Sequence, residues 1–358
     1  MAADVVGEAG RAGVVAHLHR QADACEGLGS PFYAIVLRAL AADASADGIT
    51  ARLLREHSED LHDTAMGLRL LGGVHRLVLS GSAPAVARHY PSAGGDGRAA
   101  ASVAPILVLM ADQEDAIRAA LQRAPQTNEV GRAASLVGAL HHLVAARPLP
   151  VRLVEIGASA GLNLRCDRFE IQTVDGVSYG WLGSPTVLER AWRGRLPPPT
   201  QPVEIVERLG CDPYPLDPTT ADGELTLTSY VWPDQPERLA RLRGALAVAR
   251  QVPATVERAG AAQFLDQVAP RPGTWMVAWH SVMWQYLATA EQQAVLQRLD
   301  QIGAGATPDA PLAHVAFEPA TDGEEFLVTV QTWPDVGLGS GVRVLGQAPP
   351  HGIPVDWV

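Results

Sequence analysis

Lysine is absent, so all 28 basic residues of this 358-residue chain are arginines. Schiff-base and lysine general-base chemistry are excluded with it. Cysteine is nearly absent: Cys25, Cys166 and Cys211 stand far apart, and no Cys-x-x-Cys pair occurs. That rules out a disulfide framework and a cysteine-rich zinc site. There is no run of about 20 apolar residues, the length a membrane-spanning helix needs. The opening "MAADVVGEAGRAGVV" lacks the basic flank and apolar core of a signal peptide, so a soluble, cytoplasmic protein is expected. Acidic residues number 39 and the formal net charge is −11. Such a surface repels phosphate backbones, which argues against nucleic acid as a partner. A P-loop lysine and His-Glu-x-x-His are missing too, and no metal site is expected.

What is present is a well-cored globular composition, 47% hydrophobic and 19% charged. The length suits two domains at roughly 100–200 residues each. Residues 11–147 read as helical. "VVAHLHRQADACEGL", "FYAIVLRALAADA" after Pro31, "TAMGLRLLGGVHRLVLSG", "VAPILVLMADQEDAIRAALQRA" and "EVGRAASLVGALHHLVAA" repeat apolar residues every three to four positions. "RPLP" at 147–150 marks a boundary, because proline stops helices. An α-helical domain over 1–150 and an α/β domain over 151–358 are expected. In the second, strands at 151–156, 203–207, 225–229, 253–257, 275–280, 312–317 and 326–331 alternate with helices after 161 and at 234–250, 261–268 and 288–302. This alternation implies a mostly parallel sheet covered on both faces. A hairpin inserted near 169–185, turning at Asp175–Gly176, interrupts it.

The chemistry centres on "VRLVEIGASAGLNLRCDRF", residues 151–169, where an apolar strand runs into an acid and a turn of small residues. Small side chains let a ligand approach the backbone N–H groups at a helix start. The spacing Glu155-x-Gly157-x-Ser159-x-Gly161 matches the first motif of class I S-adenosylmethionine-dependent methyltransferases with one substitution. On this reading the turn faces an occupied cleft; the alternative is a tight turn without a ligand. A nucleoside-binding sheet usually offers a carboxylate to the ribose about 20 residues on. Asp175 lies nearest that distance but belongs to the hairpin turn, so Asp212 in "VERLGCDPYPLDP" is preferred. Around the third strand only alanines and Gln263 are available for an adenine.

His280 and Ser281 lie just past the fourth strand, where open α/β sheets hold ligands, and His280 is a candidate general base. A histidine packed under Trp279 and Trp284 is the structural alternative. In "SYVWPDQPERL", Trp232 suits a pocket wall and Asp234 a helix cap. "QTNEVGR" sets Asn128, Glu129 and Arg132 at a helix start, as caps or as a lid over substrate. With Asn163 and Gln285 these complete the candidate substrate residues. "GASAG" also has the spacing of a nucleophile elbow, with Ser159 served by Asp212 or Asp266 and by His280 or His314. An elbow on the first strand of its domain would be unusual.

Together "QTNEVGRAASL", "VEIGASAGLNLRCDRF", "VERLGCDPYPLDP", "SYVWPDQPERLARL" and "WHSVMWQY" resemble the actinobacterial family catalogued as domain of unknown function 2332. The resemblance runs from "GSPFYA" to the closing "PVDW". It implies a Rossmann-like, class I methyltransferase-like sheet behind a helical N-terminal region, with some relatives in natural-product pathways that form aziridine rings. Its final strands, in "EEFLVTVQTW" and "GVRVLG", would make an antiparallel edge. Three functions follow: a small-molecule methyltransferase using S-adenosylmethionine, a cofactor-independent cyclase or lyase whose arginines bind an anionic leaving group, or a non-catalytic partner. A serine hydrolase is a further alternative. The oligomeric state is not readable from the sequence.

Overall fold

The apolar run Val151–Ile156 forms β1, and all six of its residues are buried. That is the mark of a parallel strand covered on both faces. The computed structural model describes residues 2–57, 65–122, 125–197, 202–320, 325–339 and 341–358. Thr64, Ala124 and Glu324, at the ends of expected segments, lie outside the described residues. The chain divides into two compact units, Met1–Thr127 with Glu224–Leu239, and Asn128–Gly223 with Ala240–Val358.

The first unit is helical, with main helices Ala2–Gly27, Pro31–Ser45, Met66–Leu79, Ala99–Asp112 and Glu114–Leu121. The stretch expected as one helix over 103–124 breaks at Gln113. Residues 224–239 supply part of this unit's core. Trp232 is buried among its apolar side chains, 6.3 Å from the Tyr33 ring, with the Arg238 guanidinium 5.3 Å over its own ring. Asp234 caps the helix that starts at Pro31: it accepts from Ser30 Oγ and, at 2.9 Å, from Phe32 N–H. Gln235 donates to Leu28 O at 2.9 Å. The unusual composition of "SYVWPDQPERL" therefore serves packing and capping, and Trp232 is a core residue rather than a pocket wall. The strand expected at 225–229 is the helix Ala221–Ser229. Its Leu-Thr-Leu-Thr alternation mimics a strand, but Thr220 Oγ1 accepts from Gly223 N–H and starts a helical turn instead.

In the second unit, β1 is joined by β2 (Glu170–Thr173), β3 (Ser178–Gly180), β4 (Val187–Gly194), β5 (Ile205–Asp212) and β6 (Thr255–Arg258). There follow β7 (Trp275–Ser281), β8 (Leu312–Pro319), β9 (Phe326–Trp333), β10 (Arg343–Ala348) and β11 (Val355–Trp357). All eleven build one mostly parallel sheet in the order β3-β2-β4-β11-β10-β9-β8-β7-β1-β5-β6. From β1 the chain steps outward to β5 and β6, then returns to the other flank at β7 and β8. The strand order thus reverses between β1 and β7, the place where open α/β sheets leave a crevice at the carboxyl ends.

Several expectations need correction. Strands β9 and β10 are antiparallel as expected but are interior, because β11 pairs with β10 and carries β4, β2 and β3 beyond it. The 169–185 hairpin exists as β2–β3, yet β2 also pairs in parallel with β4 and so enters the main sheet. The helix expected after 161 is a 3₁₀ segment, Leu162–Arg168, kinked at Arg165. Residues 128–150, expected in the helical domain, belong to the sheet unit. Their helix Ala133–Ala146 lies on the face carrying Trp275, whose indole donates to Arg147 O at 3.0 Å. The other face is covered by helices Ala261–Leu265 and Thr289–Ala304, which share a core with Val154, Ile156, Met276 and Ala278. Among the described residues no helix is long and apolar enough to cross a membrane.

Candidate functional site

Successive side chains of a strand point to opposite faces. Glu155 on β1 therefore shares a face with Trp279, its register partner on β7. His280 falls on the opposite face with Met276 and Ala278, so the expected grouping of His280 with the glycine-turn site is not formed. Both ring nitrogens of His280 are engaged, Nδ1 with Glu318 Oε1 at 2.7 Å and Nε2 with His314 Nε2 at 2.9 Å. With the Glu318 carboxylate as acceptor, His280 carries its proton on Nδ1, and His314 donates through Nε2. Burial and the neighbouring His280 hold His314 down to about 3, which keeps it neutral. Glu318 also accepts from the backbone of Met283 and Trp284 at 3.1 and 3.4 Å, so this group anchors the segment leaving β7. Glu318→Ala leaves those donors unpaired. We expect a loss of about 3 kcal/mol of stability, with faster hydrogen exchange at Met283 and Trp284 than elsewhere. The hydrolase arrangement fails with His280, since its hydrogen bonds and those of His314 go to Glu318 and to each other.

The glycine turn is closed by the protein's own acceptors. Ala158 N–H donates to Cys211 O at 2.9 Å and Gly161 N–H to Ala158 O at 2.7 Å. Ser159 N–H donates to Asp212 Oδ2 at 2.9 Å and Leu162 N–H to Asn128 Oδ1 at 2.8 Å. Asp212 Oδ1 accepts from Tyr214 N–H at 2.8 Å, so both oxygens of the expected ribose ligand already hold backbone. Burial raises the Asp212 carboxyl, against those two bonds. The small residues answer to packing: Ala158 and Ala160 are fully buried, and a Cβ at Gly161, where φ is +66°, would come within 2.8 Å of Val256. The amides of Ala158, Ser159, Gly161 and Leu162 thus have partners within the protein.

"QTNEVGR" proves to be a clamp on that turn. Besides the bond from Asn128, Glu129 caps the turn Val130–Arg132 through Gly131 N–H, and its carbonyl accepts from Asn163 Nδ2 at 3.3 Å. Arg132 donates to Ser281 O and Pro350 O, tying the start of the helix Ala133–Ala146 to the end of β7. Of the expected site residues, Glu155, Ser159, Asp212, Asn128, Glu129, Arg132 and Asn163 thus gather at the carboxyl ends of β1 and β5. Ser281 contributes its carbonyl, and Gln285 is exposed in the 3₁₀ turn Trp284–Tyr286.

Two features mark this region. Glu155 is 2% exposed, and its Oε2 and Asn163 Oδ1 are buried without hydrogen-bond partners. Burial pushes the Glu155 carboxyl up to about 8, although the Trp279 indole beside it, and then Arg165 and Arg132, pull the other way. It is therefore largely protonated at neutral pH. The backbone is also strained just past the ends of β1 and β7, with φ of +52° at Ser159 and +49° at Val282. A β-branched residue rarely tolerates that conformation. Here Val282 N–H is held by Phe317 O at 2.9 Å. Val282→Gly should relieve about 1–2 kcal/mol of strain, leaving stability at or above wild type where Val→Gly changes at buried, unstrained positions lose several times that. Thermal denaturation measures it. Sequence reasoning overlooked Trp279 as a neighbour of Glu155, and also Arg165, which donates to Gly161 O and Val252 O. Both were visible as polar tips on apolar segments.

These features define an α/β protein with a buried polar site at the strand-order reversal of a large, mostly parallel sheet. The chain belongs to the family described as "Uncharacterized protein conserved in bacteria (DUF2332)", which matches residues 15–357. No curated protein and no solved structure matches it.

Proposed function

We propose that the chain is an enzyme that transforms a small molecule by proton transfer, with Glu155 as the general acid–base, on a Rossmann-like scaffold. The observation that carries this reading is a buried, protonated carboxyl, with one oxygen left without a hydrogen-bond partner, near the ends of two strands at the strand-order reversal. A carboxylic acid kept neutral near pH 7 can protonate a leaving group or carbonyl oxygen and take the proton back as carboxylate. The neighbouring indole N–H of Trp279 and the cationic Arg132 suit an oxygen that gains negative charge. This favours a cofactor-independent cyclase or lyase over group transfer, because the amides of Ala158, Ser159, Gly161 and Leu162 already have partners. A direct test is profiling of small-molecule extracts by mass spectrometry with wild type and Glu155→Gln. A metabolite consumed by wild type and spared by the variant is expected; one consumed equally by both overturns the assignment.

S-adenosylmethionine-dependent methyl transfer is the second reading. It draws on the parallel order β6-β5-β1-β7-β8 and on a cavity of about 520 Å³ against the turn, lined by Ala160, Arg165, Leu216, Asp217, Arg250 and Val256. Calorimetry with S-adenosylmethionine and S-adenosylhomocysteine separates the two. Heat of binding supports the second, and its absence at millimolar ligand removes it.

A further inference from the structure

A second cavity, of about 780 Å³, opens beside the β2–β3 hairpin and the start of β5. The space falls within the range of small-molecule sites. Its walls include Tyr179 and Trp181 from the hairpin region, His141 from the helix Ala133–Ala146, Asp167 and Arg168 from the 3₁₀ segment, and Glu204 before β5. Nothing in the reaction proposed for Glu155 uses these residues.

Three observations set this cavity apart from a packing defect. Trp181 is 54% exposed, although a large aromatic ring normally buries itself when a fold lets it. The Arg168 guanidinium lies 4.6 Å over one of its faces and holds the ring as a wall. His141 and Asp167 are more than nine-tenths buried, and each keeps one atom without a partner, Nδ1 of His141 and Oδ1 of Asp167. The other Asp167 oxygen is taken by Arg208 at 2.6 Å and Arg168 at 3.2 Å. His141 is held down to about 4 by burial, so it meets a ligand as neutral imidazole. Two carboxylates, Asp167 and Glu204, line the wall with one arginine, Arg168, so the wall favours a hydrogen-bond donor over an anion.

From this the geometry points to a second ligand site for a planar heteroaromatic molecule bearing a ring N–H, held between aromatic walls and donating to Asp167. Flat walls select a flat ligand, the lone carboxylate oxygen asks for a donor, and the two lining carboxylates disfavour an anion.

The test uses the full chain labelled with 5-fluorotryptophan, the Trp181 resonance being assigned from Trp181→Phe. Indole is titrated against benzofuran, which has the same outline and no N–H. We expect indole to move the Trp181 resonance and benzofuran to bind at least roughly tenfold more weakly, the effect of one hydrogen bond to a charged acceptor. Trp181→Ala, at an exposed position that leaves the fold intact, should abolish the binding of both. Glu155→Gln should leave indole binding unchanged, since this site is independent of the first. A Trp181 resonance unmoved at about 10 mM indole overturns the assignment. So does equal affinity for the two probes, or indole affinity that survives Trp181→Ala.

Discussion

Glu155→Gln should make the protein more stable in alkali and abolish its activity at every pH. The wild-type carboxyl has a folded-state value of about 8 against an ordinary 4.5. Between those values the folded chain holds a proton that the unfolded chain has released. Stability therefore falls as pH rises from 4.5 through 8, and the penalty is fully developed above 8. At about 1.4 kcal/mol for each pH unit the total is on the order of 5 kcal/mol. Glutamine has nearly the same shape and no charge to desolvate, so the variant escapes that penalty and its stability stays level across the same window. Denaturant unfolding at pH 6 and pH 9 measures the difference. Equal pH dependence in the two proteins would show that Glu155 is ionised in the folded state. Losing a positioned acid–base group costs about 10²–10⁴ in rate. Gain of stability together with loss of turnover is the pattern of a residue kept for chemistry.

Gly138→Ala should lose about 3 kcal/mol of stability, although alanine is the better helix former by about 1 kcal/mol in an open helix. Gly138 lies inside the buried helix Ala133–Ala146, and a Cβ there would overlap the ring of Trp357. That ring cannot move aside. It is 2% exposed and meets Trp192 edge to face at 5.9 Å, while the Trp192 indole donates to Ala134 O at 2.9 Å. Helix, β4 and β11 are thereby locked through two tryptophans. Gly138→Ala combined with Trp357→Phe should recover part of the loss, a coupling that a double-mutant cycle reads directly. Simple additivity of the two changes would place the strain elsewhere.

How much of this was legible in the sequence differs from element to element. Residues 151–156, 275–280 and 312–317 could be read as strands because buried parallel strands are apolar at most positions on both faces, a property of the local sequence alone. The tight turn of "EIGASAG" was readable for the same reason, since small residues and positive φ are local demands. Asp212 was found near the turn, yet its use there was not. A carboxylate that binds a ribose and one that binds two backbone amides look alike until the acceptors of those amides are known.

The misreadings share a cause. Residues 224–239 look like strand and pocket but complete a helical core that begins more than two hundred residues earlier, and residues 128–150 are helical yet belong to the sheet unit. Chain neighbours and spatial neighbours part company in both places. The short closing strand Val355–Trp357 and β4 acquire their meaning only by pairing with each other. His280 ends its strand where expected. Which face it takes depends on strand register, and that register sent it to Glu318 and His314 while its neighbour Trp279 turned to Glu155. The sequence by itself determined the helices, the central strands, the turn and the acid at the end of β1, because propensity, burial and small-residue geometry act over a few residues. Only the tertiary structure decided which side chains share a face, which amides already have partners and which carboxyl is buried deeply enough to hold its proton, because those depend on contacts between segments far apart in the chain.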